Sequence, residues 1–225
     1  METRNRGSAR TSTLDRQFGH PAGLLGSVVG QMMAIQHKKL HREVVERLSL
    51  TPEDHVLEIG FGAGTAVEMA ARSAAFVGGI DPSPEMVRLA GSRNRAALKS
   101  GRAQLLRASA AALPFPGQRF SVVFEVHSFN HWDGKEKGLK EIFRVLKPGG
   151  RLLMALRKRS SASMDRDIGD LSERLIQCGF GDVASECHQF GHGGAFVTAR
   201  RPARLSNCLR SETSNESRAL ENRQR

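Results

Sequence analysis

Nothing in this chain of 225 residues offers the roughly 20 consecutive apolar positions that a membrane-crossing helix needs. Its opening stretch, METRNRGSARTSTLDR, is polar and rich in Arg and Ser and lacks the apolar segment of a secretory signal. The expected compartment is therefore the cytoplasm, with no membrane partner. Cysteine is scarce: Cys178, Cys187 and Cys208 are odd in number and show no C-x-x-C spacing, which argues against a disulfide framework and a Cys-rich zinc site. Acidic residues are missing from Arg88 to Arg107, where Arg88, Arg93, Arg95, Lys99, Arg102 and Arg107 follow one another. With a net charge of +11, this stretch raises nucleic acid as a partner. The same stretch holds no Phe, Trp or Tyr on which a base could stack, so such binding is expected to be weak and non-specific. A solvated helix face followed by a basic disordered tail is the favoured explanation of the charge.

What is present alternates. Residues 24 to 48 carry Leu25, Val28, Val29, Met32, Leu40, Val44 and Leu48 at helical spacing, interrupted by Gly26 and Gly30, as in a kinked helix or two consecutive ones. Then come HVLEI as a strand, GTAVEMAARS as a helix, AAFVGGID as a strand and SPEMVRLAGSRNRAALKS as one helix opened by Ser83 and Pro84. AQLLRA, FSVVFEVHS and RLLMALR continue as strands, with a helix around KGLKEIFRVL. This alternation predicts an α/β fold, a doubly wound parallel sheet covered by helices on both faces. A helix in DIGDLSERLIQCG precedes ASECHQF and GAFVTARR, which are joined through GHGG, so the last strand is expected to run antiparallel to its neighbour. The expected organisation is a disordered terminus at 1–17, a helical lid at 18–50, a catalytic domain at 51–204 and a disordered basic tail at 205–225.

VLEIGFGAG places Gly60, Gly62 and Gly64 on the turn from the first strand into its helix, where an open parallel sheet binds its ligands. A dinucleotide fingerprint wants G-x-G-x-x-G, but position 65 is Thr and the spacing is G-x-G-x-G. Asp81, at the end of the second strand, suits ribose hydroxyls and so indicates adenosine without saying which adenosine cofactor.

E-x-G-x-G-x-G in LEIGFGAG, the strand-end acid in GGIDPSPEMV, LPF in AALPFP and RVLKPGG at 144–150 follow one another in register. Together they resemble the class I S-adenosylmethionine-dependent methyltransferases, in particular the group similar to the ubiquinone/menaquinone C-methyltransferases. The resemblance implies a Rossmann-like seven-stranded sheet whose last strand is antiparallel. It also implies that the backbone of Gly60, Phe61, Gly62 and Gly64 borders the amino-acid end of the cofactor, while Glu58 fixes the loop and meets the cofactor's ammonium. Asp81 would accept both ribose hydroxyls, and Pro82 and Met86 would pack on adenine, with plain helix core an equal reading for Met86. The group carries an acid ahead of LPF to receive the adenine amino group; here Ser109 and Ala110 stand in that place, and Glu125 at the mouth of the fourth strand is a candidate to compensate.

Methyl transfer requires a base only where the acceptor must lose a proton. The candidates are His127, directly after the fourth strand, and His20 in QFGHP, with Asn130 and His131 further along EVHSFNHWD. His37 and His41 lie four apart without a third ligand, so no metal is expected. Amino-directed nucleic-acid methyltransferases carry an Asn/Asp-Pro-Pro-aromatic motif where this chain reads EVHSFNHW, and no cysteine precedes position 178 to serve a cytosine C5 or arsenite enzyme. A small-molecule methyl acceptor is favoured. An RNA or protein methyltransferase using the basic surface and a non-catalytic adenosine-binding module stay open.

Overall fold

The computed structural model describes residues 38–158, 161–189 and 193–203. Expectations for His20, His37, residues 1–37 and the 205–225 tail lie outside the described residues, as do Gly191 and His192 of the expected turn.

The first described helix, α1 (Lys38–Arg47), buries Leu40 and Val44, one turn apart, and Leu48 continues the stripe. β1 (His55–Ile59) leads through the glycine turn to the short α2 (Thr65–Ala70), then to β2 (Phe76–Asp81). α3 (Pro84–Arg93) opens as its sequence predicts: Ser83 Oγ accepts from the Met86 N–H at 3.3 Å and proline occupies the first turn. The single helix expected over 83–100 is interrupted, because Asn94 leaves helical geometry. Its buried side chain donates to Ala90 O at 2.9 Å and to Gly64 O at 3.0 Å, and α4 (Arg95–Lys99) begins beyond it. β3 (Ala103–Arg107), β4 (Phe120–Val126), α5 (Lys135–Val145), β5 (Leu146–Arg157), α6 (Ser161–Gln177), β6 (Gly181–His188) and β7 (Gly194–Arg200) follow among the described residues.

The seven strands lie in the order β3-β2-β1-β4-β5-β7-β6. The first five pair in parallel, and β7 inserts antiparallel between β5 and β6, as the closely spaced glycines before it predict. Winding reverses at β1, which has β2 on one side and β4 on the other, so the crevice beyond the carboxyl ends of β1 and β4 is the expected ligand position. On one face Val56, Val77, Val122 and Phe124 pack with Leu40, Val44, Ala66, Val67 and Ala90; on the other Leu57, Ile59 and Val123 pack with Leu139, Ile142, Leu171 and Leu175.

The described end of the expected 18–50 lid therefore covers a sheet face. Leu40, Val44 and Leu48 belong to its core, at about 1.5 to 3 kcal/mol per fully buried side chain. Arg47 ties this helix to the far edge, 2.7 Å from Glu186 of β6 and 4.6 Å above the Phe196 ring of β7.

Candidate active site

The carboxyl end of β1 is joined to β2 by backbone and side chain alike. Gly60 and Phe61 both donate to Ile80 O, at 2.8 and 3.2 Å. Asp81 Oδ2 accepts from the Gly62 N–H and its Oδ1 from the Ser83 N–H, each at 2.9 Å. The expected ribose acceptor thus also clamps the glycine loop.

The three glycines differ in what surrounds them, although all have positive φ, +74°, +52° and +76° in order. A Cβ at Gly60 would meet Ser128 Cβ at 2.4 Å, and one at Gly64 would meet Ala90 Cβ at 2.7 Å. At Gly62 it would meet nothing within 4 Å, so the bare backbone there borders open space, as a ligand cradle requires. Gly78 and Gly79 of β2 have a different purpose. They make room for Phe120 and for Phe61, whose ring is buried against Gly79 so that only the Phe61 backbone remains on the loop.

Glu58, 2 % exposed, lies beneath this loop, and one of its oxygens, Oε2, has no hydrogen-bond partner among the described residues. Burial, followed by the negative charge of Asp81, pushes its carboxyl well above the usual range, and Glu125 adds to the effect. Glu125 is fully buried and pushed up to about 7 by that burial, against three hydrogen bonds that oppose the shift. Its Oε2 accepts from Ser128 N at 2.7 Å, Ser128 Oγ at 2.9 Å and Phe129 N at 3.0 Å, so the side chain expected at the cofactor instead shapes the turn after β4. Asp81 thus holds the glycine loop directly, while the buried Glu58 behind it is biased toward its neutral form.

Ser128 is a site residue that the sequence reading missed. Its Oγ reaches Ile59 O at 2.8 Å and accepts from Trp132 Nε1 at 3.1 Å, while its Cβ walls the space beside Gly60. A serine just past a strand has no spacing signature; a neighbouring glycine that tolerates no Cβ is its one trace. His127, half-buried, holds φ +58° and donates its N–H to Ala155 O of β5 at 3.0 Å, which fixes it at the strand end. A non-glycine residue in this region is uncommon and is held by surrounding contacts. Asn130 and His131 are exposed, and Trp132 packs edge-on to Phe129 and over Gly138.

On the side expected to face adenine, Pro82 is exposed, and its carbonyl accepts from Arg107 Nε at 3.1 Å. Met86 is buried among core residues, consistent with the plain core reading. Ser109 is exposed and its Oγ accepts from the Ala111 N–H at 3.2 Å; Ala110 is buried. The LPF motif is structural here. Leu113 and Phe115 are core residues, Leu113 N–H donates to Glu141 at 2.9 Å, and Arg144 pairs with Glu141 while donating to both motif carbonyls. Among the described residues no group of three His, Cys, Asp or Glu could hold a metal ion.

Comparison with known proteins gives concordant results. Residues 57–154 match a family of methyltransferase domains. The uncharacterized methyltransferase YdaC of Bacillus subtilis is 28% identical over 162 residues, which are 69% of this chain and 87% of that protein. The ubiquinone/menaquinone biosynthesis C-methyltransferase UbiE of Geotalea daltonii is 34% identical over 116 residues, half of this chain and 49% of the relative. A SAM-dependent methyltransferase from Aquifex aeolicus superposes with a TM-score of 0.59 at 22% identity, covering 72% of this chain and 89% of its own.

Proposed function

We propose a substrate class for a chain that belongs to the class I S-adenosylmethionine-dependent methyltransferases, the group that includes the ubiquinone/menaquinone C-methyltransferases: its acceptor is a small molecule. The observation that carries the reading is the open backbone at Gly62, whose N–H is held by the Asp81 carboxyl at the end of β2. S-adenosylmethionine supplies a methyl group already activated on a sulfonium. Asp81, at the carboxyl end of β2 beside the loop, would accept from the ribose hydroxyls, and Glu58 would meet the ammonium. The protein's remaining task is to align an acceptor, an effect that accounts for roughly 7 to 11 kcal/mol of barrier in oriented reactions. Where the acceptor must lose a proton, the candidate base is His127, whose backbone is held at the end of β4.

Two features support a small acceptor. The stretch from the end of β4 onward reads EVHSFNHW, with no Asn/Asp-Pro-Pro-aromatic motif. The relative UbiE is named for ubiquinone and menaquinone biosynthesis, and another relative, 35% identical over 119 residues, is named an O-methyltransferase in Aspergillus nomiae. Calorimetric titration of the full chain with S-adenosylhomocysteine, S-adenosylmethionine and NAD tests the cofactor site. Saturable binding of both adenosyl ligands without NAD is expected, and tighter binding of NAD would reject it. Methyl incorporation from labelled S-adenosylmethionine into small phenols and quinols, compared with RNA and protein, tests the acceptor class.

A further inference from the structure

A cavity of about 90 Å³ opens beside the turn that carries His127. Its apolar floor is formed by Phe129, just after β4, Leu156 at the end of β5 and Leu171 of α6. Lys135, Arg157 and Arg174 stand around it, with Asp167 and Asp170 on α6. Helical spacing explains the α6 contribution: residues 167, 170, 171 and 174 fall on one face. The backbone bond from His127 N to Ala155 O places Leu156 and Arg157 directly beyond the strand pair that positions His127.

We propose that this cavity is the subsite for an anionic group of the methyl acceptor, a carboxylate or a phosphate, held by Arg157, Arg174 and Lys135. The inference rests on the methyltransferase reading of the neighbouring loop. Size, charge and position converge on it. About 90 Å³ is the room of a few water molecules, enough for one charged group, with the body of the acceptor extending outward past His127. Cations outnumber acids three to two on the lining. Arg157 and Arg174 make no hydrogen bond or ion pair among the described residues, so both planar forks are available to an anion. Lys135 is steered to the same place by the Phe129 ring, whose centre lies 5.1 Å from its ammonium. Asp170 on the same wall would disfavour a second negative charge, which suits an acceptor with one anionic terminus.

The test is an amide NMR titration of the full chain saturated with S-adenosylhomocysteine, using inorganic phosphate in one series and acetate in another, at constant ionic strength. Saturable shifts centred on Phe129, Lys135, Leu156 and Leu171 are expected in at least one series, and the tighter ion distinguishes a phosphorylated from a carboxylated acceptor. In the Arg157→Gln/Arg174→Gln protein the affinity for that ion should fall at least about tenfold, since two charge-assisted contacts are lost. Both arginines are exposed, so the fold does not depend on them. Shifts confined to residues 88–107, no saturable shift in either series, or an affinity unchanged in the double variant would each overturn the subsite. A failure to bind S-adenosylhomocysteine, measured on the same samples, would instead reject the methyltransferase reading beneath it.

Discussion

Asp81 and Glu125 are both buried acids at strand ends, yet they do different work. Asp81 already accepts two backbone N–H groups at 2.9 Å, so replacing it with Ala removes the loop clamp together with the proposed ribose contacts. The expected loss is about 2 to 3 kcal/mol in S-adenosylhomocysteine affinity, with a lowered thermal midpoint in the free protein. Calorimetry and a melt check the two effects, and an unchanged dissociation constant would place the ribose elsewhere. Glu125 makes stability depend on pH. Its folded pKa of about 7 lies above the ordinary 4.5, so the native state holds this proton more tightly than the unfolded chain does. Its contribution is complete below about pH 4.5, declines as pH rises through 7 and is then flat, a total of roughly 3 kcal/mol. Glu125→Gln keeps an oxygen for Ser128 and Phe129 and cannot ionise. The stability difference between variant and wild type should therefore grow in the variant's favour from pH 5 to pH 8, as read from denaturant melts; a flat difference would contradict it. Asp81 was legible as the acid ending an apolar strand 19 residues after Gly62. Glu125 was legible only as an anomaly, because its partners are created by a turn that no periodicity announces.

The glycine loop shows how elements constrain one another. α3 ends at Asn94 because that side chain bonds back to Ala90 and across to Gly64, and α2 can begin at Gly64 only because Ala90 and Asn94 leave no space for a side chain. The sequence displays SPEMVRLAGSRNRAALKS as one amphipathic run, since Asn is only a mild helix breaker. The break is a tertiary effect, decided 30 residues away. This arrangement separates two otherwise similar substitutions. Gly62→Ala incurs the left-handed backbone alone, roughly 1 to 2 kcal/mol. Gly64→Ala incurs the same cost plus a methyl group 2.9 Å from Ala90 Cα, and overpacking of that kind adds about 1 to 3 kcal/mol. Urea melts should therefore rank Gly64→Ala clearly below Gly62→Ala in stability, whereas S-adenosylhomocysteine affinity should suffer more per unit of stability at Gly62, which borders the open cradle. Equal stability losses would mean that α3 yields to the added methyl.

Across the whole molecule, alternating strands and helices made the α/β class readable, and the glycines before GAFVTAR made the antiparallel last strand readable. Strand order was not readable, because it depends on contacts between distant segments. One trace of it exists: β7 is buried along most of its length while β6 is largely exposed, as an interior and an edge strand should be. Charge is the other molecular property, and the structure revises what the six basic residues between 88 and 107 mean. Arg93, Arg102 and Arg107 each donate to a backbone carbonyl, of Ala63, Ala71 and Pro82, and Arg88 pairs with Glu85 at 2.7 Å. These cations brace the edge around β3, while Arg95 and Lys99 of α4 have no ion pair among the described residues. Their contribution to RNA binding should be correspondingly small and purely electrostatic, because no aromatic side chain lies between residues 88 and 107 to stack a base. On single strands each neutralised phosphate changes the slope of log K against log salt by about 0.7. Arg95→Gln/Lys99→Gln should then flatten that slope by about 1.4, equally for poly-U and a mixed sequence, in fluorescence anisotropy between low and moderate salt. A slope that does not move would locate the RNA contact away from this edge. Binding that persists in high salt and prefers one sequence would make RNA, rather than a small molecule, the acceptor to pursue.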